Sequence, residues 1–355
     1  ATMCLADMGA DVVKVERPGQ GDDTRSFGPP FVDGESTYFL AINRGKRSIC
    51  LDLKQEEDCE VLKRLASGAD VLVENFRPGV MERLGLSYAE LSEANPGLVY
   101  CSISGFGQER EGPGYDLMVQ GLSGIPSITG DGAIPTKCGA SIADLVAGMN
   151  AVQAILAALV RRGRLGHGAW VDVPMLDGQL SLLTYHASAW LNAGVAPKAI
   201  GNAHPSIHPF RAYATMDGHL NLALGNDKLF EQFCGLFELD WHQDERFSSN
   251  AVRVKNREAL DALMGPFFAQ RSTDDWLRRL EAAAIPAGPL LSVPEALSSA
   301  SLLSHPHPTT GRAVKSIALP YSIGSSPRGS VRPAPELGAH KEEVLDEWLS
   351  DSERA

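Results

Sequence analysis

"DVLVENFRPGVMERLGLSYAELSEANPGLVYCSISG", residues 70–105, decides the fold. It opens with a β-branched run at 70–75 and continues into a helical pattern at 87–95, for which Ser87 is the candidate N-cap. A second strand-like run follows at 98–105. A strand, a helix and a second strand in this order are typical of a βαβ unit, whose two strands lie parallel.

The same alternation continues on both sides of this stretch. Strand-like runs occur at 11–16, 48–53 and 169–175, and a long apolar helical pattern covers 139–159. The sequence therefore predicts an α/β protein with a Rossmann-like large domain and a parallel sheet, over residues 1–200. A doubly wound domain usually begins with a strand, whereas this chain opens in a helix-like segment. We therefore expect a short N-terminal piece to precede Ala1.

The pattern changes beyond residue 200. Asp217 and Gly218 form a hairpin signal between two strand-like runs. Helical patterns follow at 227–237, 256–269 and 273–284. These features predict a smaller α+β domain at 210–300. Residues 301–355 are expected to form an extended, Pro- and Ser-rich return segment, ending in a helix near 338–350 that packs on the large domain.

Charge and hydropathy argue against two functions, nucleic-acid binding and insertion into a membrane. Among 355 residues, acidic side chains outnumber basic ones by 44 to 32, which argues against general binding of nucleic acid. The apolar helix at 142–160 approaches membrane-spanning length, but Asp144, Asn150 and Gln153 interrupt it. A buried core helix and a protein without a membrane partner are therefore expected.

The cysteines and histidines indicate neither disulfides nor metal. The six cysteines form no CxxC pair, which suits reduced thiols in the cytoplasm, or in the mitochondrial matrix of a eukaryote. His305 and His307 lack further ligands nearby in the sequence, so we predict surface histidines and no metal site.

Asp144 is the conspicuous polar residue of the long helix. Ser141 and Asp144 have the spacing of a capping box, in which Asp144 would complement the helix dipole. The same position also suits a nucleophile, because a helix N-terminus favours the charged carboxylate and the small neighbours Ala143 and Ala147 leave room for a substrate. The residues alone leave both interpretations open.

Basic and aromatic residues lie at the ends of predicted strands. They lie in "RGKRS" (44–48), in "NFRPG" (75–79) and at Arg83. Ligands bind at the carboxyl ends of parallel strands, where Phe76 could stack on an adenine while basic side chains neutralise phosphates. On these residues alone, a solvated surface with "RPG" as a turn is the better explanation.

Taken in order, these segments resemble the class III CoA-transferases, the family of formyl-CoA transferase and carnitine CoA-transferase. The resemblance covers nearly the whole chain. It rests on "LADMGADVVKVERPGQGDDTR" (5–25), "NRGKRSICLDLK" (43–54), "VLVENFRPGVMERLGLSYAEL" (71–91), "NPGLVYCSISGFGQ" (95–108), "GPGYDLMVQGLSGIPSITG" (112–130) and "IADLVAGM" (142–149). The stretches 21–49 and 201–213 look most similar to family members that use succinate and hydroxymethylglutarate.

The resemblance implies roles for individual residues. Asp144 matches the family's nucleophile, which forms an aspartyl anhydride and then an aspartyl-CoA thioester. Asp116 and Tyr115 match a site that orients the acyl group. The residues that match CoA contacts are Arg17, Leu51, Lys54, Asn75, Phe76 and Arg83. The loop 201–209 replaces a glycine-rich lid and carries His204, Ser206 and His208. Arg211 or His208 is a candidate to hold the distal carboxylate of a substrate.

The family also implies the reactants and the assembly. CoA enters as acyl-CoA substrate, with no permanently bound cofactor, and a small carboxylic acid is the second reactant. The expected donor is a dicarboxylyl-CoA such as succinyl-CoA, and the sequence does not identify the acceptor. An interlocked homodimer is expected, with the site near its interface. The sequence departs from the family pattern in two places. The family's first strand would precede Ala1, and the segment 298–311 is shorter than the family's usual connection back to the large domain.

Two alternatives remain on the same resemblance. An alpha-methylacyl-CoA racemase would have a His where this chain has Tyr115 and a Glu where it has Asn226, so the second acid/base pair is missing. A non-catalytic CoA-binding homologue would bind acyl-CoA without turnover.

Overall fold

The chain divides into two units in the computed structural model, which describes residues 1–326 and 328–352. The first unit combines Ala1–Gly124, Cys138–Thr184 and the chain from Ala300 onward. The second combines Ile125–Lys137 with Tyr185–Ser299. The sequence prediction had assigned 125–137 and 185–200 to the large domain.

Short strands and helices alternate along both units. The strands are β1 (Val12–Glu16), β2 (Phe31–Val32), β3 (Glu35–Ser36), β4 (Lys46–Cys50), β5 (Val71–Glu74), β6 (Val99–Ser104), β7 (Ala169–Pro174), β8 (Phe210–Ala214), β9 (His219–Ala223), β10 (Ala287–Pro289), β11 (Leu302–Pro306) and β12 (Ala313–Ile317). The helices of the chain up to residue 193 are α1 (Thr2–Asp7), α2 (Thr37–Asn43), α3 (Glu56–Gly68), α4 (Val80–Arg83), α5 (Tyr88–Ala94), α6 (Asp116–Ser123), α7 (Ile142–Leu165), α8 (Met175–Ser181) and α9 (Thr184–Ala193). Those beyond it are α10 (Asp227–Leu236), α11 (Asn250–Lys255), α12 (Arg257–Phe268), α13 (Thr273–Ala282), α14 (Val293–Leu297) and α15 (Lys341–Ser352).

The first unit contains two parallel sheets. Strands β5, β6 and β7 lie side by side in that order, and β1 pairs with β4. Val99 and Cys101 of β6 face one side of their sheet and belong to the same core as α7. Tyr100 faces the other side and packs in a core with Leu86 and Leu91. Because both faces of this sheet are covered by packed side chains, its strands are continuous apolar runs. The predicted α/β fold with parallel strands is confirmed.

Small residues on one face of α7 pack in the core of the first unit. Ala143, Ala147, Ala151 and Ile155 are fully buried there, against residues of β6 and β7. By length and composition alone, α7 could span a membrane. One face of α7 is buried against the sheet as the sequence predicted, but the opposite face is exposed, so α7 is not a fully buried core helix.

The second unit contains an antiparallel sheet and a separate aromatic core. β8 and β9 form the predicted hairpin, and β10 pairs with β9. Phe230, Phe233, Phe268 and Trp276 lie fully buried between the sheet and the helices. Helices α10, α12 and α13 lie within the predicted patterns, so the α+β character of this part of the chain is confirmed.

The C-terminal part differs from the expected extended segment. β11 and β12 form an antiparallel hairpin, with Ser304 opposite Lys315. Helix α15 then packs on the first unit, where Val344 shares a core with Ile49. The predicted last segment, 301–355, ends in residues 353–355, which lie outside the described residues.

The prediction that His305 and His307 are surface residues is wrong, because the β11–β12 hairpin buries both. His307 Nδ1 accepts from the backbone N–H groups of Thr309 and Thr310, at 3.3 and 3.4 Å. The proton is therefore on Nε2, which donates to the carbonyl of Val32 at 3.0 Å. His307 thus stabilises the turn and joins it to β2, a tertiary contact that the dipeptide repeat "HPHP" does not indicate.

The chain after β7 forms two consecutive helices instead of one. It forms α8 and α9 as separate helices, and Thr184 adopts a positive φ of 36° where they meet. A left-handed residue cannot continue an α-helix, which explains the break.

Candidate active site

Asp144 lies in the first turn of α7, with an exposed side chain. Among the residues that the structure describes, the Asp144 carboxylate has no hydrogen bond or ion pair. Partial desolvation raises the pKa of this carboxyl, and the negative charge of Asp116 raises the pKa further. An accessible carboxylate without a partner, made more basic by its surroundings, is suited to nucleophilic attack.

The capping box expected at Ser141 and Asp144 is not formed. Ser141 is the N-cap residue by position, but its side chain accepts no hydrogen bond from the helix, and its ψ of 67° is far from the extended value of a capping residue. Asp116 replaces it, because Asp116 Oδ1 accepts the backbone N–H of Ala143 at 3.0 Å. One carboxylate therefore caps α7 and the other is left free.

Gln120 is a site residue that the sequence analysis missed. Its side-chain amide donates to both carboxylate oxygens of Asp116, at 3.0 and 2.9 Å, and the side chain is fully buried. The signal for this pair was present in the sequence, since residues four apart lie on one helix face. The spacing alone does not indicate a role for Gln120 in the site, because it does not show what Asp116 contacts.

Two tyrosines lie near the carboxylates. Burial raises the pKa of Tyr38, and the charges of Asp144 and Asp116 raise it further, so the phenol lies within electrostatic reach of both. Tyr38 is also hydrogen-bonded to Ser141. The sequence analysis did not single out Tyr38. Tyr115, which it did, is the N-cap residue of α6 and is largely exposed.

The residues that match CoA contacts follow the carboxyl ends of β1, β4 and β5, where ligands bind to parallel sheets. Arg17 is half exposed, its Nε donates to the carbonyl of Gly21 at 2.9 Å, and its guanidinium pairs with Asp23. Leu51 differs from the rest, because its side chain is buried in the core with Ile49. The remaining four are exposed: Lys54, Asn75, Phe76 and Arg83.

Glu74 shapes the turn that carries two of these residues. Its carboxylate accepts the backbone N–H of Phe76 at 2.7 Å and is hydrogen-bonded to Ser102. The side chain of Asn75 donates to the carbonyl of Ile103 at 2.6 Å, which ties the turn to β6. Burial raises the pKa of Glu74. The sequence analysis missed Glu74 because it lies inside a strand-like run.

His208 and Arg211 belong to the second unit, where they surround Asp261. His208 is 1% exposed, and burial lowers its pKa to about 4, although Asp261 acts in the opposite direction. Arg211 Nη1 lies 2.5 Å from Asp261 Oδ2, and Tyr213 donates to Oδ1 at 2.9 Å. Arg211 also lines a cavity of about 430 Å³ in this unit, together with Asn202. Of the two candidates for a carboxylate contact, Arg211 is the one with an accessible side chain.

The other two candidate residues of the loop 201–209, His204 and Ser206, make contacts that hold the loop in place. The backbone N–H of Ser206 donates to His204 Nδ1 at 3.1 Å. The ring of His204 lies between those of Tyr185 and Phe210, with centroids 5.3 and 5.4 Å away. Asn250 donates to the carbonyl of Ser206 at 2.9 Å, which fixes the loop to α11.

Asn226, the position at which a racemase would have a Glu, is the N-cap of α10. Its side chain accepts the backbone N–H of Leu229 at 2.9 Å. Among the described residues, no group of three or more His, Cys, Asp or Glu side chains could hold a metal ion.

Comparison with known proteins identifies the family. Residues 1–341 match the model of "CoA-transferase family III". A succinate–glutarate CoA-transferase of Agrobacterium fabrum is 40% identical, over 98% of this chain and 91% of that protein. A succinyl-CoA:glutarate CoA-transferase of Mus musculus is 39% identical, over 100% of this chain and 84% of that protein. The crystal structure of a CAIB/BAIF family protein from Brucella suis superposes with a TM-score of 0.83 and 38% identity, covering 98% of this chain and 94% of that one.

The chain therefore belongs to CoA-transferase family III, and it is an enzyme whose substrates are CoA thioesters. The class assigned from the sequence motifs is confirmed.

Proposed function

We propose that this enzyme transfers CoA from succinyl-CoA to a second dicarboxylic acid of similar length, with Asp144 as the covalent nucleophile. The observation that carries this proposal is that the two acids differ in their contacts: Asp116 caps α7, whereas Asp144 is exposed and has no hydrogen-bond or ion-pair partner among the described residues. The names of the two relatives, succinate–glutarate CoA-transferase and succinyl-CoA:glutarate CoA-transferase, support the choice of reactants.

The proposed reaction has four balanced acyl-transfer steps. The Asp144 carboxylate attacks the thioester carbonyl, forms a mixed anhydride and expels CoA thiolate. The thiolate attacks the aspartyl carbonyl, which gives an aspartyl-CoA thioester and releases succinate. The acceptor carboxylate attacks that thioester, forming a second anhydride and thiolate again. The thiolate finally attacks the acceptor's acyl carbonyl, which releases the new acyl-CoA and restores Asp144. Each step exchanges one activated acyl group for another, and no net proton is consumed.

The raised pKa of Asp144 serves the first of these steps, because a more basic carboxylate is a stronger nucleophile towards the thioester. Partial burial raises this pKa, and the charge of Asp116 raises it further.

The first experiment measures CoA exchange between succinyl-CoA and a panel of mono- and dicarboxylic acids, separated by chromatography. Wild type is expected to transfer CoA, with glutarate among the preferred acceptors. Asp144→Asn, which keeps the shape and removes the charge, is expected to transfer none. Asp274→Asn removes a first-turn carboxylate from α13 and is the matched control, with wild-type activity.

A trapping experiment identifies the intermediate. Hydroxylamine added with succinyl-CoA converts an aspartyl anhydride or thioester to a hydroxamate, and peptide mass spectrometry is expected to find it on Asp144. Binding of acyl-CoA without transfer by the wild-type enzyme would contradict the proposed function.

For acceptor choice, we propose that Arg211 contacts the distal carboxylate of the diacid. Support comes from its place in the wall of a cavity of the second unit and from its partial exposure. Arg211→Ala is expected to lower transfer to glutarate relative to transfer to a monocarboxylic acid of the same chain length. Arg246→Ala, which removes an exposed ion pair in the same unit, is the control. An unchanged ratio in Arg211→Ala would remove this assignment.

We also propose that the enzyme is a homodimer, interlocked as in the family it resembles. Leu145, Met149, Leu156 and Val160 form one exposed apolar stripe along α7, on the face opposite its buried alanines. An apolar helix face of this length is unfavourable in water and is typical of an interface. The stripe begins beside Asp144, so a second copy of the chain that covered it would lie next to the nucleophile.

A further inference from the structure

Gln120 contacts two segments that meet at the start of α7. Its amide nitrogen donates to both oxygens of Asp116 and also points to the carbonyl of Ala140, 3.4 Å away. Its amide oxygen accepts the backbone N–H of Cys138 at 2.9 Å. One fully buried side chain therefore links α6 to the residues that lead into the helix of Asp144.

The orientation of this amide determines what Asp116 can do. The side-chain amide nitrogen of Gln120, which contacts both carboxylate oxygens, and the backbone N–H of Ala143 converge on Asp116, so the carboxylate is held on the helix terminus. Without those donors, the carboxylate could rotate away, and the first-turn N–H groups would become available to Asp144. A capped Asp144 would be a weaker and less accessible nucleophile.

We propose that Gln120 is a positioning residue for the transfer reaction: its amide fixes Asp116 as the cap of α7 and thereby leaves Asp144 free to attack the thioester. This inference rests on the proposed role of Asp144 as nucleophile. Because the Gln120 side chain is fully buried, we expect its effect on the chemical steps and not on binding of acyl-CoA.

The test uses Gln120→Glu, which keeps the shape and the acceptor for Cys138 but replaces the donor by a carboxylate facing Asp116. At about pH 8 we expect kcat to fall by about tenfold to a hundredfold, because small displacements of reacting groups have effects of this size. The KM for succinyl-CoA is expected to stay within about twofold of wild type. As the pH falls, the introduced carboxyl gains a proton and donates again, so the ratio of variant to wild-type kcat should rise.

A donor–acceptor swap gives the second readout. In the double variant Asp116→Asn with Gln120→Glu, the new amide at 116 can donate to the new carboxylate at 120 and still accept the N–H of Ala143. We expect this variant to exceed Gln120→Glu alone by about tenfold in kcat at about pH 8. A residue that merely fills space would give neither the pH-dependent recovery nor this rescue.

Near-ultraviolet circular dichroism checks that each variant folds. If Gln120→Glu does not fold, Gln120→Met carries the test, with a lower kcat at every pH and an unchanged KM. A ratio independent of pH together with no rescue in the double variant would overturn the inference, as would wild-type kcat in Gln120→Met. Failure of the proposed function is distinguishable, because the wild-type enzyme itself would then transfer no CoA.

Discussion

Two carboxylates at the start of one helix have different chemical roles because their hydrogen bonds differ. Asp116 accepts from Gln120 and from the N–H of Ala143, and its charge is spread over these contacts. Asp144 has no such donors among the described residues and feels the charge of Asp116. The pKa of Asp144 is therefore raised although the carboxyl lies at a helix N-terminus, where the dipole alone would lower it.

This arrangement predicts how activity depends on pH. The nucleophile must be ionised, so kcat/KM should fall as the pH drops through the raised pKa of Asp144. Asp116→Asn keeps an acceptor for Ala143 but removes the neighbouring charge, so the acid limb should move to lower pH. Profiles of kcat/KM from about pH 4 to pH 8 test this, with Asp274→Asn as the control. A limb that stays in place or moves to higher pH would show that Asp116 does not set the basicity of the nucleophile.

His208 predicts a second pH effect, on stability. Its pKa is lowered to about 4 in the folded protein, chiefly by burial, from an ordinary value of about 6.5. As the pH falls below 6.5, the unfolded chain gains a proton that the folded chain refuses, so stability is lost between these two values. The loss amounts to about 3 kcal/mol at most.

The measurement is urea-induced unfolding of wild type and His208→Leu at about pH 7.5 and pH 5. The variant is expected to lose less stability on acidification than wild type. His219→Gln removes an exposed histidine of the same unit and serves as the control. Equal losses in wild type and His208→Leu would contradict the assignment.

At the scale of elements, helix α5 has a complete local start signal. Ser87 Oγ accepts the N–H of Glu90 at 3.3 Å, and Glu90 accepts the N–H of Ser87 at 3.0 Å, which is a full capping box. Ser87→Ala should lower the free energy of unfolding by about 1 kcal/mol. Ser92→Ala, in the same helix, removes only a bond to a helix carbonyl and should change it by less than about 0.5 kcal/mol. Comparable effects of the two substitutions in denaturant titrations would rule out the box as the source of stability.

Sequence patterns predicted the elements whose signals are local. The parallel strands of the first unit, the hairpin at Asp217 and Gly218, and the cap at Ser87 all follow from residues close in the chain. The cap of α7 could not be predicted in this way. Asp116 caps α7 in place of the nearby Ser141, although it lies 27 residues before Ala143 in the chain. Its position as the cap depends on how α6 packs against α7.

The residues of the candidate site also differ in whether a local sequence signal marks them. Family motifs pointed to Asp144, Asp116 and the residues around Phe76, because those motifs are contiguous. Gln120 and Glu74 act through hydrogen bonds to other parts of the chain and have no motif of their own. His307 is the opposite case, since a local repeat suggested an exposed residue while contact with Val32 buries it.

For the whole molecule, the exposed stripe of α7 is a feature that a single chain leaves unexplained. Met149 and Val160 are 59% and 62% exposed in the middle of an apolar helix whose other face is fully buried. In a monomer, a core helix would have both faces buried. A surface helix would have polar side chains on its solvent-facing side. A partner that supplies apolar surface along the stripe removes this conflict, and a second copy of the chain, which carries the same stripe, has the required chemistry.

The double variant Leu156→Glu with Val160→Glu tests this, since it places two charges in the stripe, about three and four turns from Asp144, and leaves the buried face of α7 intact. Wild type is expected to sediment as a dimer at micromolar concentration, and the variant as a monomer, because an unpaired charge in an apolar interface costs several kcal/mol. Leu165→Glu introduces a charge at an exposed leucine on another face of the same helix and should remain dimeric. If the site lies near the interface, CoA transfer falls with the dimer fraction in the double variant and is retained in Leu165→Glu. A monomeric wild type, or a double variant that stays dimeric, would mean that something other than a second copy covers α7.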